Sequence, residues 1–582
     1  MITDLIPLML AYPVAGALIA ALPGTPARVQ RIWMATGAVP ALLLGLGLST
    51  GMSQPADSLV FGGGLGLQSE AARTFLLFTA GLWTLAGFFA WPYSCGMSRL
   101  RDYTVFTLLS CAGNLGLFLA SDVGFFYSSF AVMTFAAAGL VLHERSPESV
   151  RAGIVYVAMA VVGEVLILAG LLWLAFEAGT IEIAGLSAGY ANGGASNGVI
   201  ALLLFGFGVK AGLLPVHVWL PQAHPVAPTP ASAVLSGAMV KAGLFGWLTF
   251  LPGGLADFPE WGSLCIILGL VAAFGAAYAG LTQTNAKATL AYSSISQLGL
   301  MTLILGIGLA SAQAWPVAVA LIAFFALNHA FAKGALFMSA GAAHAAQGLA
   351  VRALVAIGSL LAALVIAGYP LTGGSLATAA LKAFGELAPE PFSDYLGGAL
   401  MASSFATTVL LARFVQLNTG TMQTPHRPER PSATNAAVIG VWALALAAAL
   451  AVPWLALEGH GGPVDVLSLD LKLLLGAVPI LAGAIVAVLV LPWVAFLPAV
   501  PAGDLGLPLL RAGVALWRAW VKHSPAIMES SSFDMEQGLR HLFPPEDGSP
   551  RWLDRADGRT RSLSTSGIIV LLVMVALHLS LQ

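Results

Sequence analysis

Six ionisable side chains lie inside apolar stretches of the sequence. They are Glu164, Lys210, Lys241, His329, Lys333 and Lys382. A charge at membrane depth is costly, so such residues usually face a protein interior or a water-filled cavity, where they serve ion or proton paths. Taken singly, each could also be a paired structural charge or a side chain that reaches up to the membrane surface. The lysines outnumber the one acid, so they cannot all form ion pairs within the set. Because desolvation disfavours the charged form of an unpaired lysine, the set predicts groups that accept and release protons.

The spacing of these residues places some of them together. His329 and Lys333 are four positions apart, so they share one face of a helix. Lys241 follows Ser236-Gly237-Ala238, whose small side chains allow close helix packing and admit water. Both features favour a line of proton-carrying sites.

A proline-rich break follows Lys210 directly, from Pro215 to Pro230. Lipid cannot satisfy the backbone groups of an interrupted helix, so a break at membrane depth must line a protein cavity. His217 and His224 flank this break, and imidazole titrates near physiological pH. They could carry protons or hydrogen-bond the broken helix ends, and the residues favour neither role over the other.

Composition identifies the chain as an all-α polytopic membrane protein. It has 582 residues, of which 58% are hydrophobic and only 9% charged, against about 25% charged in soluble proteins. Stretches of about 20 apolar residues predict 14 to 16 transmembrane helices. A net charge of −2 offers no basic surface for nucleic acid. The three cysteines are far apart, and neither a metal-binding spacing nor a nucleotide-binding glycine motif is visible, so we expect no cofactor and no metal site in this chain.

Charged residues outside the apolar stretches have simpler roles. Lys287 lies near a helix end and is predicted to be an anchor. Arg413 is predicted to be either an anchor or a charge at the exit of the proton path. Between residues 505 and 562 the chain becomes polar. Arg511, Arg518 and Lys522 fall on one helical face there, which predicts an amphipathic helix at the membrane surface before a last apolar helix. The positive-inside tendency would place these basic residues on the cytoplasmic side.

Several motifs resemble one family. The run from Lys210 through Pro215-Val216-His217-Val218-Trp219-Leu220-Pro221-Gln222-Ala223-His224 to Thr229 is similar to the signature of the antiporter-like subunits of respiratory complex I. The same signature occurs in Mrp-type cation/proton antiporters, membrane-bound hydrogenases and formate hydrogenlyase. Four further runs carry the resemblance, which covers roughly residues 100 to 420: 236–241, 282–299, 328–337 and 367–374.

The resemblance implies two inverted five-helix repeats, each with a broken helix, and a hydrated relay across the membrane midplane. Lys210 matches the lysine before the first broken helix, and Lys241 matches the central relay lysine, 241 − 210 = 31 positions on. His329 and Lys333 match the relay of the second half. The C-terminal part resembles the lateral helix of the longest family members. The implied division is 1–100, N-terminal transmembrane helices; 101–285, first repeat; 286–420, second repeat; 421–504, C-terminal transmembrane helices; and 505–582, the amphipathic surface helix, the polar segment and the last transmembrane helix.

Two departures from the family pattern concern the relay itself. Ala131 stands where the family usually carries a glutamate that pairs with the first lysine, and Glu164 on the next helix is the candidate substitute. In the second broken helix the family's titratable residue falls near Thr378, which cannot titrate. Lys382, one helical turn later on the same face, is the candidate for that role.

The sequence therefore predicts a proton-translocating subunit of a complex I-like assembly in the bacterial cytoplasmic (inner) membrane. A subunit of an Mrp-type antiporter, or a proton-gradient coupling subunit for an inorganic-carbon uptake partner, remains open as an alternative. Expected partners are other membrane subunits, the lipid bilayer and a soluble redox or metal-containing protein. This chain shows no catalytic or redox site, so in an oxidoreductase the electrons would travel in other subunits.

Overall fold

The computed structural model describes residues 3–54, 64–191, 197–422, 432–458 and 476–503. In these ranges, 13 helices are long and apolar enough to cross a membrane, and Leu8–Ala21 and Asn197–Ala211 are shorter apolar helices. The predicted all-α polytopic fold is thereby confirmed. The amphipathic helix and the last transmembrane helix predicted within 505–582 lie outside the described residues.

The described ranges contain twenty α-helices. In chain order they are α1 (Leu8–Ala21), α2 (Ala27–Thr36), α3 (Val39–Gly47), α4 (Glu70–Tyr93), α5 (Leu100–Leu119), α6 (Val123–Val141), α7 (Pro147–Ala178), α8 (Ser187–Ala191), α9 (Asn197–Ala211), α10 (Leu220–Val226), α11 (Thr229–Val234), α12 (Lys241–Phe250), α13 (Pro259–Leu281), α14 (Ala286–Ala310), α15 (Trp315–Ala345), α16 (Leu349–Ala367), α17 (Gly373–Gly385), α18 (Phe392–Thr421), α19 (Ser432–Glu458) and α20 (Val478–Val490).

A few shorter elements complete the described part. A π-helical turn at Leu235–Met239 joins α11 to α12. Single 3-10 turns occur at Thr3–Leu5, Ile183–Gly185 and Leu491–Phe496. The strands β1 (Ser53–Gln54) and β2 (Leu65–Gly66) form one antiparallel pair.

Polar side chains fix several helix starts. The Asp122 carboxylate accepts a hydrogen bond from the Phe125 N–H at 2.8 Å and so begins α6. The Asn285 side chain accepts from the N–H groups of Lys287 and Ala288 and begins α14. Such caps satisfy donors that the first helical turn leaves free, which matters most where water is scarce.

Helices α13 and α14 touch backbone to backbone. A Cβ added to Gly269 would lie 2.5 Å from the carbonyl oxygen of Gly299, and one added to Gly299 would lie 2.7 Å from that of Gly269. Gly262 and Gly306 repeat the arrangement, with both distances at 2.6 Å. Small residues give membrane helices this close approach. The contact fixes the height of α14, which is buried along almost its whole length.

The glycine contact makes a stability prediction. Gly269→Ala places a methyl group against backbone, and overpacking of this kind costs about 1–3 kcal/mol, so the melting temperature of the purified protein should fall. Gly275→Ala on the same helix is the matched control, because an added Cβ there meets nothing within 4 Å. It should leave the melting temperature unchanged or raise it slightly, since alanine is the better helix former. Equal melting temperatures for the two variants would contradict the prediction.

Candidate functional site

The predicted break after Lys210 is present. Helix α9 ends at Ala211, and Gly212 follows with a positive φ of 73°, which favours glycine. The Trp219 indole donates to the carbonyl of Val209 at 2.7 Å and ties the break back to α9. The Lys287 ammonium donates to the carbonyls of Ala227 at 2.6 Å and Pro225 at 3.5 Å, where α10 ends. Lys287 thus satisfies free carbonyls of the broken helix.

Lys241 lies directly after the π-helical turn. In that turn the Val240 N–H bonds to the carbonyl of Leu235 at 3.3 Å, rather than to that of Ser236 as an α-helix would require. The Ser236 carbonyl accepts a hydrogen bond from the Lys241 ammonium instead, at 2.6 Å. An irregular backbone therefore supplies a polar partner for a fully buried lysine.

The second partner of Lys241 is His329 on α15. The Lys241 Nζ lies 2.7 Å from the His329 Nδ1, and both side chains are fully buried. A protonated lysine donates to Nδ1, which leaves the ring proton on Nε2. A proton that crosses this bond reverses the donor and the acceptor. The pair thus joins two titratable groups by one short hydrogen bond.

Serines on α14 extend the network to Lys333. The Ser236 hydroxyl lies 2.7 Å from that of Ser294, and Ser294 also donates to the Leu290 carbonyl at 3.1 Å. The Lys333 ammonium donates to the same carbonyl at 3.0 Å and to the Ser293 hydroxyl. Lys241 and Lys333 thus approach each other through Ser236, whose carbonyl binds Lys241 and whose hydroxyl contacts Ser294. Lys241, His329 and Lys333, with Ser236, Ser293, Ser294 and the Leu290 carbonyl, are called the central cluster below.

Gly237 allows the elements of the central cluster to approach. A Cβ at this position would lie 2.9 Å from the carbonyl oxygen of Ala330 and 2.2 Å from a Leu82 methyl group. The π-helical turn therefore lies directly against α15, next to His329. A larger residue at 237 would push His329 away from Lys241.

Glu164 and Lys210 face a second site. Both line a cavity of about 20 Å³, measured as the space open to the centre of a water molecule, which suffices for one water. The Lys210 ammonium donates to the Tyr156 hydroxyl at 3.2 Å and lies 5.6 Å from the centre of that ring. Tyr156 in turn donates to the Thr134 carbonyl at 3.0 Å.

The Glu164 carboxylate has no direct hydrogen-bond partner among the described residues. It is buried, both of its oxygens lack a hydrogen bond, and no ion pair within 4 Å joins it to Lys210. The structure therefore brings the proposed substitute for the missing glutamate to the cavity of Lys210, without direct contact. From α6, the helix of Ala131, Phe130 and Thr134 line this cavity.

The remaining predicted residues lie around these two sites. His217 is buried in the first break, and His224 is buried on α10. Arg413 on α18 donates to the Gln283 carbonyl at 3.1 and 3.2 Å and to the Gln416 side chain at 2.7 Å, which are structural contacts. Lys382 is half-buried in the last turn of α17 and donates no hydrogen bond to the central cluster. Its part in the relay stays a prediction.

Sequence reasoning missed the hydroxyl groups. Ser236, Ser293, Ser294 and Tyr156 all bond to the predicted lysines or link them. The signal available was a run of serines, Ser293-Ser294-Ile295-Ser296, inside an otherwise apolar helix. In the described ranges, no group of three or more His, Cys, Asp or Glu side chains is arranged to hold a metal ion.

Part of this chain is similar in sequence to known membrane subunits. Hydrogenase-4 component B of Escherichia coli (strain K12) is 35% identical over 239 residues, 40% of this chain and 36% of that protein. NADH-quinone oxidoreductase subunit M of Rhodobacter capsulatus is 30% identical over 281 residues, 46% of this chain and 53% of that protein. The match thus spans about a third to a half of these relatives.

The fold has a solved counterpart as well. A chain of the Mrp complex from Dietzia sp. DQ12-45-1b superposes with a TM-score of 0.72 at 24% identity, over 94% of this chain and 64% of that one. At this identity the likeness concerns the fold alone. Residues 108–390 match the protein family described as "NADH:quinone oxidoreductase/Mrp antiporter, TM". This segment therefore resembles the antiporter-like membrane subunits of the complex I, Mrp and hydrogenase superfamily, in agreement with the sequence motifs.

Proposed function

We propose that the chain is a proton-translocating subunit of a multisubunit complex in the bacterial cytoplasmic membrane. The observation that carries the proposal is the central cluster. Lys241 bonds directly to His329, and Ser236, Ser294 and the Leu290 carbonyl lie between Lys241 and Lys333. Amines, imidazole and hydroxyls both donate and accept when they exchange protons. A sodium site would instead need a cage of oxygen ligands, whereas in the central cluster the amines of Lys241 and Lys333 already occupy the backbone carbonyls of Ser236 and Leu290.

The path includes groups that only accept. The Leu290 carbonyl receives bonds from Ser294 and Lys333 and cannot pass a proton itself. Transfer between these side chains therefore requires a hydroxyl to rotate away from the carbonyl, or a water to join the network. The Leu290 carbonyl keeps the Ser294 hydroxyl and the Lys333 ammonium close together. Rotation of the serine hydroxyls then makes and breaks the hydrogen bonds along which a proton moves.

Glu164 and Lys210 form the other end of the proposed relay. Lys210 lies in the last turn of α9, where the helix dipole favours a positive charge. A water in the shared cavity would bridge its ammonium to the Glu164 carboxylate. Closure to a direct ion pair, or opening to the bridged state, changes the charge seen by Lys241, because α12 packs directly against the end of α9 at Gly243.

Membership of a larger complex is the second part of the proposal. Identity to Hydrogenase-4 component B favours a redox-driven assembly of the hydrogenase type, and the fold is equally that of an Mrp chain. A gradient-coupling subunit for inorganic-carbon uptake is the third arrangement. Lys382 and Arg413 are proposed to lie on the route between the central cluster and the surface.

Purification from the native membrane distinguishes these assemblies. We expect a hydrogenase-like or other metal-cluster protein among the partners that copurify and are identified by mass spectrometry. Small hydrophobic subunits without a redox protein would instead indicate a cation/proton antiporter. A single soluble partner would indicate a coupling subunit, and isolation of the chain alone would contradict the proposed complex.

The central cluster is tested by Lys333→Ala. The rate of proton movement should fall by roughly 10²-fold or more, the usual contribution of a positioned proton-transfer group. Assembly should survive, because Ser293 and Ser294 still donate to the Leu290 carbonyl. Ser294→Ala should lower the rate as well, while Ser296→Ala should not, since the Ser296 hydroxyl bonds only to the Ala273 carbonyl. The assay is dye-detected acidification of inside-out vesicles, energised by the donor or ion gradient that drives the wild type. Wild-type rates in Lys333→Ala would make that lysine structural.

The cavity pair is tested by Lys210→Ala and Glu164→Gln in the same vesicles. Each should stop or strongly slow proton movement, because each removes one of the two charges that share the cavity. The amount of assembled complex, read from copurifying subunits, should remain near that of the wild type. A Glu164→Gln variant that moves protons normally would exclude Glu164 from the path.

A further inference from the structure

His224 is a buried polar side chain that the central cluster does not use. Its ring is fully buried, and neither ring nitrogen has a hydrogen-bond partner in the structure. A neutral imidazole carries one donor and one acceptor. Buried polar atoms of this kind are usually satisfied by internal water. The ring therefore marks a place where an internal water would be stabilised.

On one side, His224 lies next to the central cluster. Its ring stacks on that of Phe337, with 4.5 Å between the ring centres and 23° between the planes. Phe337 is four residues after Lys333 on α15, so the two share a helix face. His224 therefore packs beside the face of α15 that carries Lys333.

On the other side, His224 leads to the surface. The carbonyls of Pro225 and Ala227, immediately after it, are held by Lys287. Lys287 is half-buried, and Glu144 is exposed in the connection between α6 and α7. Helix α10, which carries His224, packs against both α6 and α7, and Glu144 is near enough to act on Lys287 electrostatically without an ion pair within 4 Å. Glu144, Lys287 and His224 thus follow one another from the surface to the interior.

The neighbouring histidine does not fit this role. His143 is buried against Tyr103, and burial lowers its pKa to about 4, although Asp102 opposes the shift. It therefore stays neutral at neutral pH and does not collect protons there. Glu144 is the exposed acid at this position.

We propose that Glu144, Lys287 and His224 form the aqueous mouth of the relay, which deepens the proposed function and rests on it. Glu144 collects protons at the surface. Lys287 is a positioning residue that holds the broken helix in place. His224 takes a proton from water on one nitrogen and releases the proton of its other nitrogen towards Lys333. It passes protons without storing a charge, because its fully buried ring disfavours a charged imidazolium.

The test compares Glu144→Gln with Glu148→Gln in the assembled complex. Glu148 is the matched control, an exposed carboxylate one turn away that pairs with Arg151 at 3.7 Å. At low concentration of external buffer, Glu144→Gln should slow proton movement about tenfold, and Glu148→Gln should not. Raising the concentration of a mobile buffer should restore the Glu144→Gln rate, because the buffer replaces the surface acid. This restoration should occur in only one orientation of the vesicles.

His224→Phe should slow transport at every buffer concentration, because the block then lies inside the protein. Phenylalanine preserves the stacking on Phe337, and His224→Gln provides a polar variant should the first fail to assemble. The proposed mouth is contradicted if Glu144→Gln moves protons at the same rate as Glu148→Gln, or if a high buffer concentration does not restore the Glu144→Gln rate. It is also contradicted if His224→Phe moves protons at the wild-type rate. If Lys333→Ala stops transport while these variants do not, only the mouth fails. If Lys333→Ala itself transports normally, the proposed function fails.

Discussion

Three lysines lie in the apolar interior, and the structure depends on how their amines are satisfied. In the described part of the chain, no carboxylate bonds to Lys241 or Lys333. Their partners are backbone carbonyls, hydroxyls and an imidazole. A neutral acceptor compensates less of the cost of burying a charge than a carboxylate does. Because no ion pair holds Lys241 or Lys333, either amine can exchange one hydrogen-bond partner for another without breaking a pair of opposite charges.

Irregular backbone supplies the acceptors. The π-helical turn releases the Ser236 carbonyl to Lys241, and the broken helix releases the carbonyls of Pro225 and Ala227 to Lys287. In both places a lysine side chain takes the role that a backbone N–H has in a regular helix. Gly237 then brings the π-helical turn against α15. The departures from ideal helix geometry are thus part of the site, as membrane-depth backbone outside regular helices generally is.

The sequence was informative wherever burying a residue type in its surroundings costs much free energy. A lysine in an apolar stretch is conspicuous, so Lys241, His329 and Lys333 could be assigned to one relay, and the structure places them in one cluster. Burying serine in a membrane helix costs little free energy, because its hydroxyl can donate to a backbone carbonyl of the preceding turn. Ser294 is therefore inconspicuous in the sequence, although its hydroxyl contacts Ser236 and bonds to the Leu290 carbonyl that Lys333 also binds. Lys287 was predicted to be an anchor, and nothing in its spacing revealed that it holds the broken helix. The π-helical turn could not be predicted either, since no residue type in Leu235–Met239 is specific to a turn of this kind.

The glycine contacts between α13 and α14 have a consequence for the surrounding lipid. Ile267, Val271 and Tyr278 on the outer side of α13 are 48%, 51% and 41% exposed, so this face is available to lipid or a neighbouring subunit. A helix of 23 residues is about 34 Å long at 1.5 Å per residue, slightly longer than the ~30 Å hydrocarbon layer. Helices of this kind respond to bilayer thickness by tilting. Because backbone meets backbone at two levels, α14 must follow α13, and it carries Leu290, Ser293 and Ser294 with it. Membrane thickness would therefore alter the distances on which proton transfer depends.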